Sequence, residues 1–351
     1  MGNKKKIYSE KKCGLRLPKG NLSHMTSPVK KIFLNGANLR DKSLTGFSLS
    51  TTWNASSCDN GGDLIYQIKE LGFDSIELGF TIAKPILEEI IKLQKDGIIQ
   101  IKSVHNFCPV PEGYNHLKFT PDFFSVSSTD AAERQKAVDL TLNSLRTASE
   151  VKAKALIIHA GHVDMKQRTK ELARLFDQGL KGTAAYNELK QQIIQERQSK
   201  KAPHLDALMH SLDVLIPKSE QLNIKLCLEN RYYYREIPSQ DELGYIFEKF
   251  KGTDNLLYWH DVGHAQVAEN LGFSQHSEYL KQYAEKICGM HLHDIIGATD
   301  HKAPGCGNFD FGILMPYLHK DLIKVLEIHK PATNQQIKQG VLILKKIFGE
   351  N

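Results

Sequence analysis

No apolar run in this 351-residue chain reaches the roughly 18 residues that a membrane-crossing helix needs, so none is expected. The basic start, Lys4-Lys5-Lys6, is followed by no apolar stretch and therefore does not read as a secretory signal. Gly2 hints at myristoylation, but position 6 carries Lys6 instead of serine or threonine, and the pattern fails. Cys-x-x-Cys is missing too. The six cysteines stand apart at 13, 58, 108, 227, 288 and 306. Cys227 and Cys288 fall in strand-like runs and read as small buried apolar residues. A reduced, cytoplasmic setting is the simplest account. No Gly-x-Gly-x-x-Gly follows the first expected strand, which argues against a dinucleotide fold.

What remains is ordinary soluble composition, with 41% hydrophobic and 25% charged residues. The formal charge of +6 comes largely from the first 31 residues and from a lysine-rich stretch over 166–201. That balance suits an anionic ligand, such as a sugar phosphate or nucleic acid, and equally suits lysine faces in solvent. The length fits one β/α barrel of about 250 residues with additions.

Residues 1–43 are polar and lysine-rich without periodicity, and read as a flexible N-terminal extension. From 44 to 351 the apolar pattern alternates between short strand-like runs and helical periods. Strands are expected over 44–50, 73–78, 98–104, 155–158, 224–228, 256–260, 287–292 and 322–326. Helices are expected between them over 61–71, 85–95, 130–151, 205–222, 240–250, 277–286 and 314–318, with 334–348 closing the chain. Pro85 suits a first helical turn, and Asp130 with Glu133 reads as a capping-box-like start. The 108–128 loop is long for its position and is a candidate lid. Residues 163–204 read as an inserted segment of one or two amphipathic helices after the fourth strand. Eight strand–helix pairs in strict alternation imply parallel strands with right-handed crossovers. The fold class is thus a (β/α)8 TIM barrel with an N-terminal extension and a helical insertion.

In such a barrel the strand C-termini converge on one mouth. The polar residues delivered there are His105, His159, Glu229, Asp261, His264, His291 and Glu327. A single histidine at a strand end is ordinary packing, but seven polar residues on one rim are not. A carboxylate ring with no lysine among its members repels itself unless a cation sits at its centre. Glu229, Asp261, His291 and Glu327 supply three carboxylates and one imidazole. That donor set suits Mn²⁺, Mg²⁺ or Co²⁺; Zn²⁺ gains weight if His105, His159 and His264 also bind metal.

Four stretches carry a resemblance: Leu228-Glu229-Asn230, Asp261-Val262-Gly263-His264, Met290-His291-Leu292-His293-Asp294, and His301-x-x-Pro304-Gly305-x-Gly307-x-x-Asp310-Phe311. Glu327 then ends the last strand. In this order they resemble the xylose isomerase-like TIM barrels, also called AP endonuclease family 2. That superfamily contains sugar (phosphate) isomerases and epimerases as well as endonuclease IV. The resemblance covers about residues 44–348.

Its epimerase-like members imply a divalent metal on Glu229, Asp261, His291 and Glu327. Glu229 and Glu327 would be the catalytic acid and base of an enediolate mechanism on a small sugar or sugar phosphate. His105, His159, His264 and His301 would contact the substrate. Its endonuclease-like members imply three zinc ions on His105, His159, Glu229, Asp261, His264, His291, His301 and Glu327, and a phosphodiester or abasic-DNA substrate. The nuclease pattern has an aspartate two residues before the loop histidine. Here that position is Thr299, with Asp300 next to His301 instead. The run Tyr232-Tyr233-Tyr234-Arg235 reads either as a packed loop or as a stacking surface for a sugar or base. Homo-oligomerisation stays open, and no membrane partner is expected.

Overall fold

The computed structural model describes residue 44 and residues 46–350, so the expected 1–43 extension lies outside the described residues. Eight parallel strands close into a barrel: β1 (Ser48–Ser50), β2 (Ser75–Leu78), β3 (Gln100–His105), β4 (Ala155–Ile158), β5 (Lys225–Glu229), β6 (Leu256–Asp261), β7 (Ile287–Leu292) and β10 (Ile323–Leu326). β1 pairs with both β2 and β10, which closes the ring. Among the described residues no helix is long and apolar enough to cross a membrane.

Helices follow the strands as the alternation required: α1 (Gly61–Glu70), α2 (Lys84–Lys95), α3 (Ala131–Glu150), α6 (Gln240–Lys249), α8 (His276–Tyr283) and α9 (Asn334–Phe348). Asp130 caps α3 by accepting from the amides of Ala132 and Glu133. Glu133 does not return to the cap as a capping box requires. Its carboxylate accepts from the Ser125 amide and the Ser128 hydroxyl, and so staples the end of the long 108–128 loop.

Three elements depart from the sequence reading. The insertion holds α4 (Thr169–Asp177) and then α5 (Ala184–Gln221), a single 38-residue helix. The insertion helix and the helix expected at 205–222 are therefore one element, running through Pro203 and Pro217. A helix α7 (Val262–Asn270) starts directly at the end of β6, where none was expected, because the Asp261 side chain caps it by accepting from the His264 amide. The loop after β7 contains a small antiparallel hairpin, β8 (Asp294–Ile296) with β9 (Thr299–Lys302), also unforeseen. Asp294 holds the following turn by accepting from the amides of Gly305, Gly307 and Phe309.

The barrel's lower interior is plugged by Ala155, Ile157, Cys227, Trp259, Ile323 and Val325. A Cβ on Gly289 would stand 2.2 Å from the Trp259 ring, so glycine there lets the indole lie across the floor. The imidazole of His291 sits against that indole, with ring centroids 5.3 Å apart. The apolar plug is thus the base on which the polar rim stands.

Candidate metal centre at the barrel mouth

The four central residues each stand within one residue of a strand's C-terminal end, which is why short apolar runs end in one polar cluster. Glu229 and Asp261 close β5 and β6, and His291 lies one residue from the end of β7. Glu327 follows β10 directly. Donor atoms of Glu229, Asp261, His291 and Glu327 all lie within 4.8 Å of one another. The Nδ1 of His291 is the focus: Glu229 Oε1 is 2.7 Å away, Glu327 Oε2 3.2 Å and Asp261 Oδ2 3.5 Å. All four residues are buried.

The other nitrogen of His291, Nε2, faces Glu77 at 3.2 Å, and Ser103 Oγ in turn donates to Glu77 at 2.8 Å. This carboxylate behind the imidazole orients the ring and raises its basicity, as outer partners of metal-bound histidines do. Burial alone would disfavour a charged imidazole. The facing carboxylates of Glu327 and Glu77, with hydrogen bonds to Asp261 and Glu229, overcome it and hold His291 well above its usual pKa. Burial likewise opposes ionisation of Glu229. Hydrogen bonds from His105, His159 and His291 reverse that and keep its carboxyl well below the usual range. Three carboxylates and one imidazole, buried together and braced from behind, fit a hard divalent cation.

Four more histidines share one arrangement, with Nδ1 tied outward and Nε2 turned to the site. The Nδ1–H of His105 donates to Asn106 O at 3.0 Å, and its Nε2 lies 3.7 Å from Glu229 Oε2. His159 uses Nδ1 on Asp122 Oδ1 at 2.7 Å and places Nε2 2.9 Å from Glu229 Oε2. His264 donates from Nδ1 to Asn230 O, and His301 to Glu327 O, each at 3.0 Å. Their Nε2 atoms converge on Asp300 Oδ2, at 3.8 and 3.9 Å. Asp300 thus faces both histidines from one residue beyond the position held by Thr299.

A cavity of about 480 Å³ opens above this rim. His105, His159, Glu229, His264, His301 and Glu327 all line it. A cavity of about 800 Å³ lies at the opposite end of the strands, beside Lys154, Lys225, Cys288 and His319. Among the described residues, its lining offers Glu285, Asp321 and His319 but none of the grouped carboxylates and imidazoles found at the rim.

A family model for xylose isomerase-like TIM barrels matches residues 65–347. The chain belongs to that family. No curated sequence matches it. Among family-like solved structures, a D-tagatose 3-epimerase-like protein is 19% identical with a TM-score of 0.60, covering 86% of this chain and 97% of that one. A 3-keto-D-glucoside 4-epimerase from E. coli is 15% identical with a TM-score of 0.61, covering 87% and 100%. The IOLI protein, solved with a bound zinc atom, is 13% identical with a TM-score of 0.57, covering 87% and 98%. At these identities the likeness speaks for the fold.

All eight residues singled out from the sequence therefore meet at one mouth, four in the central tetrad and four around it. Several others in the same cluster were not singled out. Glu77 stands between Ile76 and Leu78, the same buried-acid-in-a-strand signature as Glu229, and could have been read from it. Asp122 reaches in from the long loop, and Arg231 turns back from the residue after Asn230; neither carries a sequence signal. The rim thus has no lysine but does have a cation. In the tyrosine run, Tyr232 lines the cavity and donates to Ala298 O at 2.6 Å, while Tyr234 stacks on Phe273.

Proposed function

We propose that the chain is a divalent-metal-dependent isomerase or epimerase of a small sugar or sugar phosphate, working through an enediolate. The observation that carries this reading is the pair Glu229 and Glu327. These are two carboxylates from different strands, both open to the cavity and both converging on His291 Nδ1. Glu229, Asp261, His291 and Glu327 would hold Mn²⁺, Mg²⁺ or Co²⁺. Such an ion supplies Lewis-acid polarisation of a ketose carbonyl and its neighbouring hydroxyl, which acidifies the carbon-bound proton between them.

One glutamate accepts that proton at a carboxylate oxygen. The other returns a proton to the opposite face of the enediolate, and the stereocentre inverts. His264 and His301 present Nε2 to substrate oxygens, while His105 and His159 fix the Glu229 carboxylate that faces the reacting carbon. The named activities of structural neighbours, tagatose-type and keto-glucoside epimerases, agree with a sugar substrate. The test is turnover across a ketose and ketose-phosphate panel with Mn²⁺, Mg²⁺ or Co²⁺. Glu327→Gln is expected to abolish epimerisation. Sugar turnover left intact by that substitution sinks the role given to Glu327.

A second reading, a zinc phosphodiesterase of the endonuclease IV type, is favoured by one observation. Besides the tetrad, His105–His159–Glu229 and His264–Asp300–His301 each bring three donors within 4.8 Å. Asp300 supplies the carboxylate that Thr299 lacks. Cleavage of an abasic duplex by zinc-loaded protein would put this reading first; an uncut duplex removes its DNA form.

A further inference from the structure

We infer that Arg231 is a built-in cation that fills the His105–His159–Glu229 donor group and excludes a metal ion from it. The inference rests on the tetrad being the chain's working metal site. The Nη1 of Arg231 donates to Glu229 Oε2 at 2.8 Å and also meets His159 Nε2. Those are two of the three atoms that a metal in this group would need, the third being His105 Nε2, 3.7 Å from the same Oε2. The Nη2 of Arg231 lies 3.4 Å from Glu236 Oε1 and 3.5 Å from Asp122 Oδ2. The guanidinium is therefore gripped by four side chains from two loops and two strand ends, with only 6% of its side chain exposed.

Two consequences follow from the charge. A guanidinium keeps its proton at any working pH, so it cannot step aside by becoming neutral. A divalent ion within bonding distance of His159 Nε2 and Glu229 Oε2 would face that fixed positive charge at contact range in a buried site. The acids around it are thereby shared out. Asp122, Glu236 and one oxygen of Glu229 go to the arginine. The other oxygen of Glu229 goes with Asp261 and Glu327 to the tetrad. Arg231 makes Glu229 a ligand to one metal where a bare triad would make it a bridge between two.

The test is zinc content per chain after saturation with Zn²⁺ and dialysis, read by elemental analysis as a difference between variant and wild type, so that zinc held elsewhere cancels. Arg231→Ala is expected to gain one equivalent, and Arg231→Ala with His105→Ala to lose that gain. In the wild-type background His105→Ala is expected to leave the zinc content unchanged. This last protein keeps Arg231 and tests the inference even if the Arg231 variants fold poorly. A wild-type protein that drops one equivalent on His105→Ala, or a folded Arg231→Ala that gains none, overturns the inference. Sugar turnover and its loss in Glu327→Gln report on the proposed function separately, because zinc differences in the Arg231 and His105 variants do not depend on the substrate.

Discussion

A Cβ on Gly263 would stand 1.9 Å from Cε1 of His293. The imidazole of His293 occupies that space, and its Nε2 lies 3.0 and 3.1 Å from the two oxygens of Asp261. The glycine of Asp261-Val262-Gly263-His264 is thus there for close approach. It lets β7 deliver a histidine onto the carboxylate that β6 delivers to the tetrad. Gly263→Ala is expected to push His293 off Asp261 and weaken divalent-metal affinity by about 10–100-fold, as loss of outer partners does. Competition against a chromophoric chelator measures it; wild-type affinity in Gly263→Ala would detach His293 from the site.

His291 carries its proton well above the usual histidine range, and a metal on Nδ1 must displace that proton. Metal binding therefore releases a proton at neutral pH, and affinity rises with pH. About a tenfold gain per pH unit is expected below the raised pKa of His291. Isothermal titration in two buffers of different ionisation enthalpy counts the proton; no net release contradicts the assignment of Nδ1 as the ligand atom.

Behind β6, His260 Nε2 and His276 Nε2 are 2.9 Å apart and both rings are buried. Burial pushes His276 down to about 4. The unfolded chain takes up this proton below about 6.5 while the folded chain resists it until about 4. Stability is therefore intact above about 6.5 and falls as the pH drops toward 4, by roughly 3 kcal/mol over the whole window. Urea midpoints between pH 7 and 4 report the slope, and His276→Gln is expected to flatten it.

Arg197, on α5, pairs bidentately with Glu242 at 2.6 and 2.7 Å, and also donates to Glu236 O at 2.8 Å. Glu242 also accepts from the Ser239 amide, closing the capping box of α6. Burial opposes its charge, and Arg197 more than offsets this, holding its carboxyl below the usual range. Arg197→Met takes the bidentate partner from a buried carboxylate, leaving it the Ser239 amide and Lys201 Nζ at 3.7 Å, and is expected to cost about 3 kcal/mol, whereas Arg197→Met with Glu242→Met recovers most of that. Denaturant melts of the two proteins decide. An equal loss in both would mean that the pair matters only for packing.

The alternation of short apolar runs with helical periods determined the eight-strand barrel, because strand–helix units with parallel strands have few ways to close. It also determined Glu229, Asp261, His291 and Glu327, since a barrel gathers its strand C-termini at one mouth whatever the loops do. The closing helix was legible to the residue, Asn334–Phe348, from its own periodicity. Tertiary structure decided what depends on chain reversal and burial. Pro203 and Pro217 remove amide donors locally, yet α5 runs through both, with residues such as Leu208, Leu212 and Leu215 buried along it. The α7 helix begins at Asp261 because that side chain caps it, and no periodicity announces a cap that is also a rim residue. Asp300 faces His264 and His301 because the β8–β9 hairpin turns it inward. Arg231 meets Glu229 because the chain folds back just after β5, a relation between neighbours in sequence that only the loop's path makes a contact.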